Sequence, residues 1–214
     1  MNPEAHTVIV ADILKSRRRV DLRSLLDKKI AAVSSLHLDK KLISLPYAVT
    51  AGDEFQTVTT QPAALPAILF DLRRLMQPLS LRIGAGLGRI NEPVKAPVNH
   101  LSGEAFESAR KAIESIKPEV RFTFQAFTAF QTSNALFNET ANLLYGLHDT
   151  LAFQITDKQW ETINVYIESP PIKKTARRLK LNISTVSRNL KRGYYWQLSE
   201  TVKVAESLIR QVFL

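Results

Sequence analysis

Residues 176–192 read ARRLKLNISTVSRNLKR and contain two short helical patterns separated by a turn. Ala176 is small enough for a second helix to cross it closely. Val186 and Leu190, four residues apart, share one face of that second helix and point back into a core. Lys180 stands in the turn, at a position where glycine is common. The stretch therefore predicts a pair of short helices packed as in a helix-turn-helix unit.

The second helix of this pair has a predicted outward face that is polar and basic. Residues 172–192 contain eight lysines and arginines and no acidic residue, a composition suited to DNA phosphates. Thr185, Arg188, Asn189 and Arg192 have i, i+3, i+4 and i+7 spacing. Arginine can bond guanine and asparagine can bond adenine, so we assign base reading to Arg188 and Asn189. The predicted DNA-binding residues are Lys173, Lys174, Ser184, Thr185, Ser187, Arg188, Asn189, Lys191 and Arg192.

The net charge of the chain is concentrated around this stretch. Of the total of +9, residues 156–214 contribute +6, with 11 Lys plus Arg against 5 Asp plus Glu. This concentration of positive charge predicts a polyanionic partner, which we expect to be double-stranded DNA. A homodimer of the protein would match two half-sites on that DNA. The alternative is a helical hairpin with a solvated basic face. Tyr194, Tyr195 and Trp196 are expected in the core or in a dimer contact rather than stacked on bases.

The composition excludes several classes of protein. The 214 residues include no cysteine, which rules out disulfides, thiolate zinc sites, iron–sulfur clusters and cysteine nucleophiles. The hydrophobic fraction of 45% is enough for a packed core, so global disorder is not expected. There is neither a basic-then-apolar leader nor an apolar run of about 18 residues. We therefore expect a cytoplasmic protein that does not enter the membrane.

The first part of the chain alternates between strand and helix patterns. The order predicts an α/β (α+β) fold, with a ferredoxin-like or palm antiparallel sheet covered by helices over residues 1–150. An all-α helix-turn-helix domain follows over residues 151–214, with Thr156 and Asp157 capping its first helix. The predicted strands are 6–13, 45–50, 54–60, 79–87 and 121–124, and the predicted helices are 22–35, 62–76, 103–116 and 126–153.

Two aspartates stand where this sheet would bring them together. Asp12 follows the apolar run 8–11, where an unpaired carboxylate would cost several kcal/mol, so it needs a cation or donors. Asp53 lies between two strand-like segments, in a turn beside the first strand. Both side chains could converge on one divalent ion, which we expect to be Mg²⁺. The alternative is that Asp12 bonds to backbone donors and that Asp53 simply suits a tight turn.

Four blocks of the sequence resemble the SatD family. They are Asp12-Ile13, GDEF at 52–55, RIGAG at 82–86, and GEAF at 103–106 with Ala109-Arg110. More distantly, the same blocks are similar to class III nucleotide cyclases and to the GGDEF domains of diguanylate cyclases. Those families hold two metal ions with one aspartate on the first strand and another on the hairpin. The resemblance implies these roles for Asp12 and Asp53, with the backbone of Ile13 also touching metal.

A nucleotide would need further residues around these carboxylates. The predicted nucleotide-binding and phosphate-binding residues are Ile13, Lys15, Ser16, Arg17, Glu54, Arg110 and Lys111. Cyclases usually carry an asparagine and an arginine where this chain has Glu107 and Lys111, and they have a base-recognising lysine before the hairpin that is missing here. Whether the chain is an enzyme is therefore left open.

Three hypotheses about function follow from these observations. The first is a DNA-binding transcriptional regulator whose palm domain binds a metal–nucleotide ligand or a partner. The second is a metal-dependent nucleotidyl cyclase or nucleotidyltransferase with a DNA-targeting tail. The third is a non-catalytic interaction protein.

Overall fold

The computed structural model describes residues 6–14, 22–116 and 127–214. Within these residues the chain forms a five-stranded sheet and a set of helices, which confirms the predicted mixed α/β class. The strands are β1 (His6–Ile13), β2 (Ala48–Ala51), β3 (Glu54–Thr59), β4 (Leu81–Gly88) and β5 (Thr128–Gln131). The helices are α1 (Leu22–Asp39), α2 (Leu65–Leu75), α3 (Glu104–Ser115), α4 (Ala135–Ala152), α5 (Asp157–Glu168), α6 (Ile172–Leu179), α7 (Ile183–Arg192) and α8 (Tyr195–Phe213).

The strands lie side by side in the order β2-β3-β1-β4-β5. β1 is antiparallel to both β3 and β4, β2 and β3 form an antiparallel hairpin, and β5 is parallel to β4. β1 follows the predicted range of 6–13 because its apolar, β-branched run suits a strand buried on both faces.

The last strand of the sheet and the start of α4 differ from the sequence prediction. Residues 128–131 form a strand, whereas they were predicted to be part of a helix over 126–153; that helix begins only at Ala135. The run TAFQ is too short for periodicity to separate strand from helix. Asn134 marks the real helix start, because its side chain accepts a hydrogen bond from the amide of Phe137. The strand predicted at 121–124 lies outside the described residues.

The two faces of β1 serve different cores. Ile9, Ala11 and Ile13 pack with α1, α2, α4 and the second half of α8. Val8 and Val10 point to the other face, where α3 covers the sheet. Because side chains alternate along a strand, Asp12 belongs to the α3 face.

Close packing of α3 on β4 depends on glycine. A Cβ at Gly86 would lie 2.3 Å from the carbonyl oxygen of Ala105 and 2.3 Å from the amide nitrogen of Ala109. Both are backbone atoms of α3, so the contact cannot be relieved by a side-chain rotation. The alternating glycines of β4 therefore serve helix packing in this structure.

We expect Gly86→Ala to lower the free energy of unfolding by about 1–3 kcal/mol, because α3 must move away from the sheet. Chemical denaturation would measure the loss. Gly88→Ala is the matched control: its Cβ would meet only the flexible side chain of Glu104, at 2.9 Å, and should cost less. Equal losses for the two variants would contradict this account.

The last four helices, together with Phe70 of α2 and Ala152 of α4, build a second, smaller core. Trp160, Ile163, Val186 and Leu190 pack there. α5 begins at the predicted cap, where Thr156 accepts a hydrogen bond from the amide of Gln159 and the side chain of Gln159 reaches back to the Thr156 amide.

The final helix belongs to both cores. Leu198, near the start of α8, packs in the smaller core, whereas Ala205 and Ile209 pack in the core of the sheet. The boundary predicted near residue 150 stays a prediction. Among the described residues, no helix combines the length and the apolar character needed to cross a membrane.

Candidate nucleic-acid interface and carboxylate edge

The helices α6 and α7 meet at a tight turn that contains a strained residue. Lys180 ends α6 with φ 54° and ψ 39°, in the left-handed region that favours glycine. Its amide donates to the carbonyl of Arg177, and the amide of Leu181 donates to Ala176, which closes the end of the helix. α7 then begins at Ile183. The turn between α6 and α7 thus has lysine in the position where glycine is common.

Replacing this lysine by glycine should stabilise the protein. We expect Lys180→Gly to raise the free energy of unfolding by about 0.5–1 kcal/mol, because glycine adopts the left-handed conformation without the steric cost of a Cβ. Thermal or chemical denaturation would measure the gain. Lys174→Gly, which removes the same charge inside α6, should instead destabilise by about 1 kcal/mol. A loss of stability in Lys180→Gly would show that the turn is not strained.

The buried side of α7 faces α5, and its opposite side is open. Val186 and Leu190 are fully buried. All eight basic side chains of this region are exposed, as are Ser184 and Ser187. Arg178 is held by Glu168 at 2.8 Å and by the hydroxyl of Ser169 at 3.0 Å. The exposed basic side chains are Lys173, Lys174, Arg177, Arg178, Lys180, Arg188, Lys191 and Arg192.

Two residues predicted on the outward face of α7 lie elsewhere. Thr185 and Asn189 are half-buried, and the side-chain amide of Asn189 donates to the hydroxyl of Thr162 on α5 at 3.0 Å. Asn189 follows Val186 by three residues, which places it only about 60° around the helix from that buried side chain. The outward face is centred on Arg188 instead, and the same angular argument applied to the sequence would have shown this.

The second candidate site lies at the end of the sheet where β1 finishes, which we call the carboxylate edge. Asp12 is paired across the strands with Arg82 of β4. The guanidinium of Arg82 engages both carboxylate oxygens: Nε donates to Oδ1 at 2.9 Å and Nη2 donates to Oδ2. The cation that the position of Asp12 requires is therefore an arginine of the same chain. Arg82 was quoted in a sequence motif without being given this role.

A second, similar pair lies beside the first. Arg110 of α3 donates to both oxygens of Glu54, at 2.5 and 2.7 Å, and Thr50 donates to one of them at 2.8 Å. The hydrogen bonds from Arg110 lower the pKa of Glu54 below its ordinary value, although partial burial acts in the opposite direction. Glu54 is therefore held as a carboxylate by α3.

The carboxylates of the two pairs and of the hairpin turn together affect the pKa of Arg82. The hydrogen bonds to Asp12 raise the pKa of Arg82 although burial lowers it, and the charges of Asp53 and Glu54 raise it further. Asp53 lies half-buried in the hairpin turn, next to Gly52 with φ 58°. Asp12 is hydrogen-bonded to Arg82, whereas Asp53 affects this arginine only through its charge.

This arrangement does not fit a resident metal ion well. The carboxylate oxygens of Asp12 and Glu54 already accept hydrogen bonds from guanidinium groups. Within residues 6–14, 22–116 and 127–214, no three or more His, Cys, Asp and Glu side chains are placed to hold a metal ion. The Mg²⁺ site at Asp12 and Asp53 stays a prediction.

The remaining predicted phosphate ligands stay predictions. Lys15, Ser16 and Arg17 lie outside the described residues. The side chain of Ile13 is buried in the main core. Lys111 is exposed on α3.

The described residues thus combine a sheet whose central strand is antiparallel to both neighbours, two arginine–carboxylate pairs near the end of that strand, and a pair of strongly basic helices. The model of the SatD family matches residues 6–209. The chain belongs to the SatD family.

The other two comparisons add little. The crystal structure of a regulator of polyketide synthase expression from Bifidobacterium adolescentis is similar at 15% identity and a TM-score of 0.29, over 99% of this chain and 82% of that chain. A similarity at this level carries no argument about function. No curated protein matches the chain.

Proposed function

We propose that this SatD-family protein is a DNA-binding transcriptional regulator, with α6 and α7 as its helix-turn-helix unit. The observation that carries the proposal is the face of α7: Arg188, Lys191 and Arg192 are exposed there, while Val186 and Leu190 anchor the opposite side. An exposed helix of this kind fits a major groove. In this proposal Arg188 reads a base.

The surrounding charge supports contact with the DNA backbone. Lys173, Lys174 and Arg177 on α6 are exposed, and no acidic residue lies between 172 and 192. Each phosphate that these side chains neutralise releases counterions, so binding must weaken as salt rises. Arg178 contributes less to this charge, because Glu168 already pairs with it.

In this proposal the sheet and its covering helices form a palm domain. The palm domain binds a ligand and does not catalyse its conversion. The order β2-β3-β1-β4, with antiparallel neighbours and helices between the strands, supports the ferredoxin-like assignment. Arg82 pairs with Asp12 and Arg110 pairs with Glu54, so two of the carboxylates that phosphoryl transfer would need are already bound to arginines. Among the alternatives, these pairs favour a non-catalytic palm over a nucleotidyl cyclase.

DNA binding is tested by titrating the purified protein against labelled genomic fragments over a series of salt concentrations. We expect the logarithm of the binding constant to fall linearly with the logarithm of salt, by about 0.9 per neutralised phosphate. A binding constant that does not respond to salt would contradict the proposal, as would the absence of binding at low salt.

Metal binding and turnover are tested together. Thermal unfolding is measured with and without Mg²⁺ or Mn²⁺, and nucleoside triphosphates are incubated under the same conditions. Because arginines are bound to Asp12 and Glu54, we expect neither a metal-dependent rise in the unfolding temperature nor a product. A metal-dependent rise that Asp12→Asn abolishes would restore the cyclase hypothesis.

A further inference from the structure

Helix α4 is apolar on two opposite faces. Phe137, Ala141 and Tyr145 pack into the main core. On the far side, Leu136, Leu143 and Leu147 keep 72%, 60% and 50% of their surface exposed. A surface helix ordinarily presents polar residues to water, so three leucines on one outer face mark an interaction surface.

The exposed leucines follow the spacing of a helix-pairing seam. Together with the exposed Thr140, they stand at 136, 140, 143 and 147, which is the four-three-four spacing of the inner positions of a heptad repeat. We call these four residues the α4 seam. Such spacing keeps the side chains aligned toward one partner helix over three turns.

We propose that the α4 seam binds the same seam of a second copy of this chain, with the two helices antiparallel. The seam is symmetric about its centre, between Thr140 and Leu143. An antiparallel two-fold pairing therefore places Leu136 against Leu147 of the second copy, and Thr140 against its Leu143. An isologous interface needs this self-complementarity, because the same patch must serve both partners.

The charge distribution favours a second copy at this surface. The chain carries a net charge of +9, of which residues 156–214 contribute +6, so two copies repel one another most strongly where these basic segments face each other. Helix α4 contains no lysine or arginine, and the seam itself is uncharged. Of the two acidic residues in α4, Asp149 is fully buried and Glu139 lies beside the seam. The seam is thus a place where two such chains can approach closely.

The size of the seam indicates that the association is weak. A helix of 18 residues is about 27 Å long and about 10 Å wide, so one face offers about 270 Å² per copy. The total falls well below the roughly 1,200 Å² at the lower end of stable interfaces. If the proposed DNA-binding function holds, two copies on one duplex would gain from their proximity, and the seam would make binding cooperative.

The pairing is tested by disulfide trapping, because the chain has no cysteine of its own. Leu136→Cys and Leu147→Cys are prepared separately, and each is oxidised mildly at about 100 µM, alone and as an equal mixture. Antiparallel pairing predicts a covalent dimer in the mixture but not in either variant alone. No dimer in the mixture would overturn the proposal, and so would equal dimer from a single variant, which indicates parallel pairing. The assay contains no DNA, so failure of DNA binding leaves its result intact.

A second measurement uses sedimentation of the full chain over a range of concentrations. We expect Leu143→Asp to abolish the concentration-dependent increase in the sedimentation coefficient. Val204→Asp is the matched control, because Val204 is an apolar residue of α8 that is 48% exposed and lies outside the seam. Loss of association in the control to the same extent as in Leu143→Asp would overturn the assignment to α4.

Discussion

Arg188→Ala is expected to weaken binding to a specific duplex by about tenfold to a hundredfold, which corresponds to roughly 1–3 kcal/mol. Arg188 lies opposite the buried side of α7, so its guanidinium is the group best placed to reach a base edge. A bidentate contact with guanine accounts for an effect of this size. Fluorescence anisotropy with labelled duplexes would measure the change, and discrimination among duplexes should fall together with affinity.

Two control variants separate base reading from charge and from folding. Lys191→Ala removes one positive charge from the same helix and should weaken binding about equally on all sequences. Asn189→Ala removes the hydrogen bond to Thr162 and should reduce stability by about 1 kcal/mol rather than alter base preference. If Asn189→Ala changes specificity more than Arg188→Ala does, base reading belongs to Asn189.

Asp149→Ala is expected to lower the free energy of unfolding by about 3–5 kcal/mol. Asp149 is fully buried and lies 3.2 Å from Nη2 of Arg73, and it also accepts the amide of Phe127 at 2.9 Å. The same guanidinium donates to the carbonyl of Leu81 and to the hydroxyl of Thr128. Removing the carboxylate would leave the charge of Arg73 uncompensated where α2, α4 and the strands β4 and β5 meet. Denaturant titration would measure the loss.

The exposed pair of Arg23 and Asp27 provides the control for this prediction. Their side chains are 67% and 53% exposed, so Asp27→Ala should change stability by less than about 1 kcal/mol. Similar losses in Asp27→Ala and Asp149→Ala would show that burial does not determine the cost.

The same carboxylate gives stability a defined pH dependence. Burial alone would raise the pKa of Asp149, but Arg73, His148 and the amide of Phe127 lower it below its ordinary value. A carboxyl group with a lowered folded-state pKa stabilises the fold above its unfolded pKa of about 3.9, and this contribution is lost as the pH falls through the folded value. Asp149→Asn should therefore flatten the decline of stability with acid below about pH 4. An unchanged acid limb would contradict this role.

Much of the fold was accessible from local patterns. β1 and the cap at Thr156 carry strong local signals, namely a β-branched run and a capping residue followed by glutamine. β5 was not accessible in this way, because four residues of mixed character fit either a strand or the start of a helix. Its place in the sheet is set by pairing with β4, from Ile83 to Gly86, which is a tertiary contact.

In the candidate sites, too, features set by local sequence were predictable and features set by tertiary contacts were not. The exposed basic face of α7 follows from helical periodicity, although Asn189 was assigned to the wrong side. The partners of the carboxylates depend on strand register and on where α3 crosses the sheet. Asp12 and Arg82 are 70 residues apart in sequence and became neighbours only through the pairing of β1 with β4. No spacing rule in the sequence connects them.

Because α8 packs in both cores, a tilt of this helix in one core would move its other end in the second core. Its 19 residues extend over about 28 Å, so a tilt of about 5° at the sheet end displaces the other end by about 2.5 Å. That distance approaches the length of a hydrogen bond and is enough to misalign a side chain in a groove. A shift of α2 or α4 against the sheet would thus change the orientation of α7, and under the proposed function this would change the angle between α7 and the duplex.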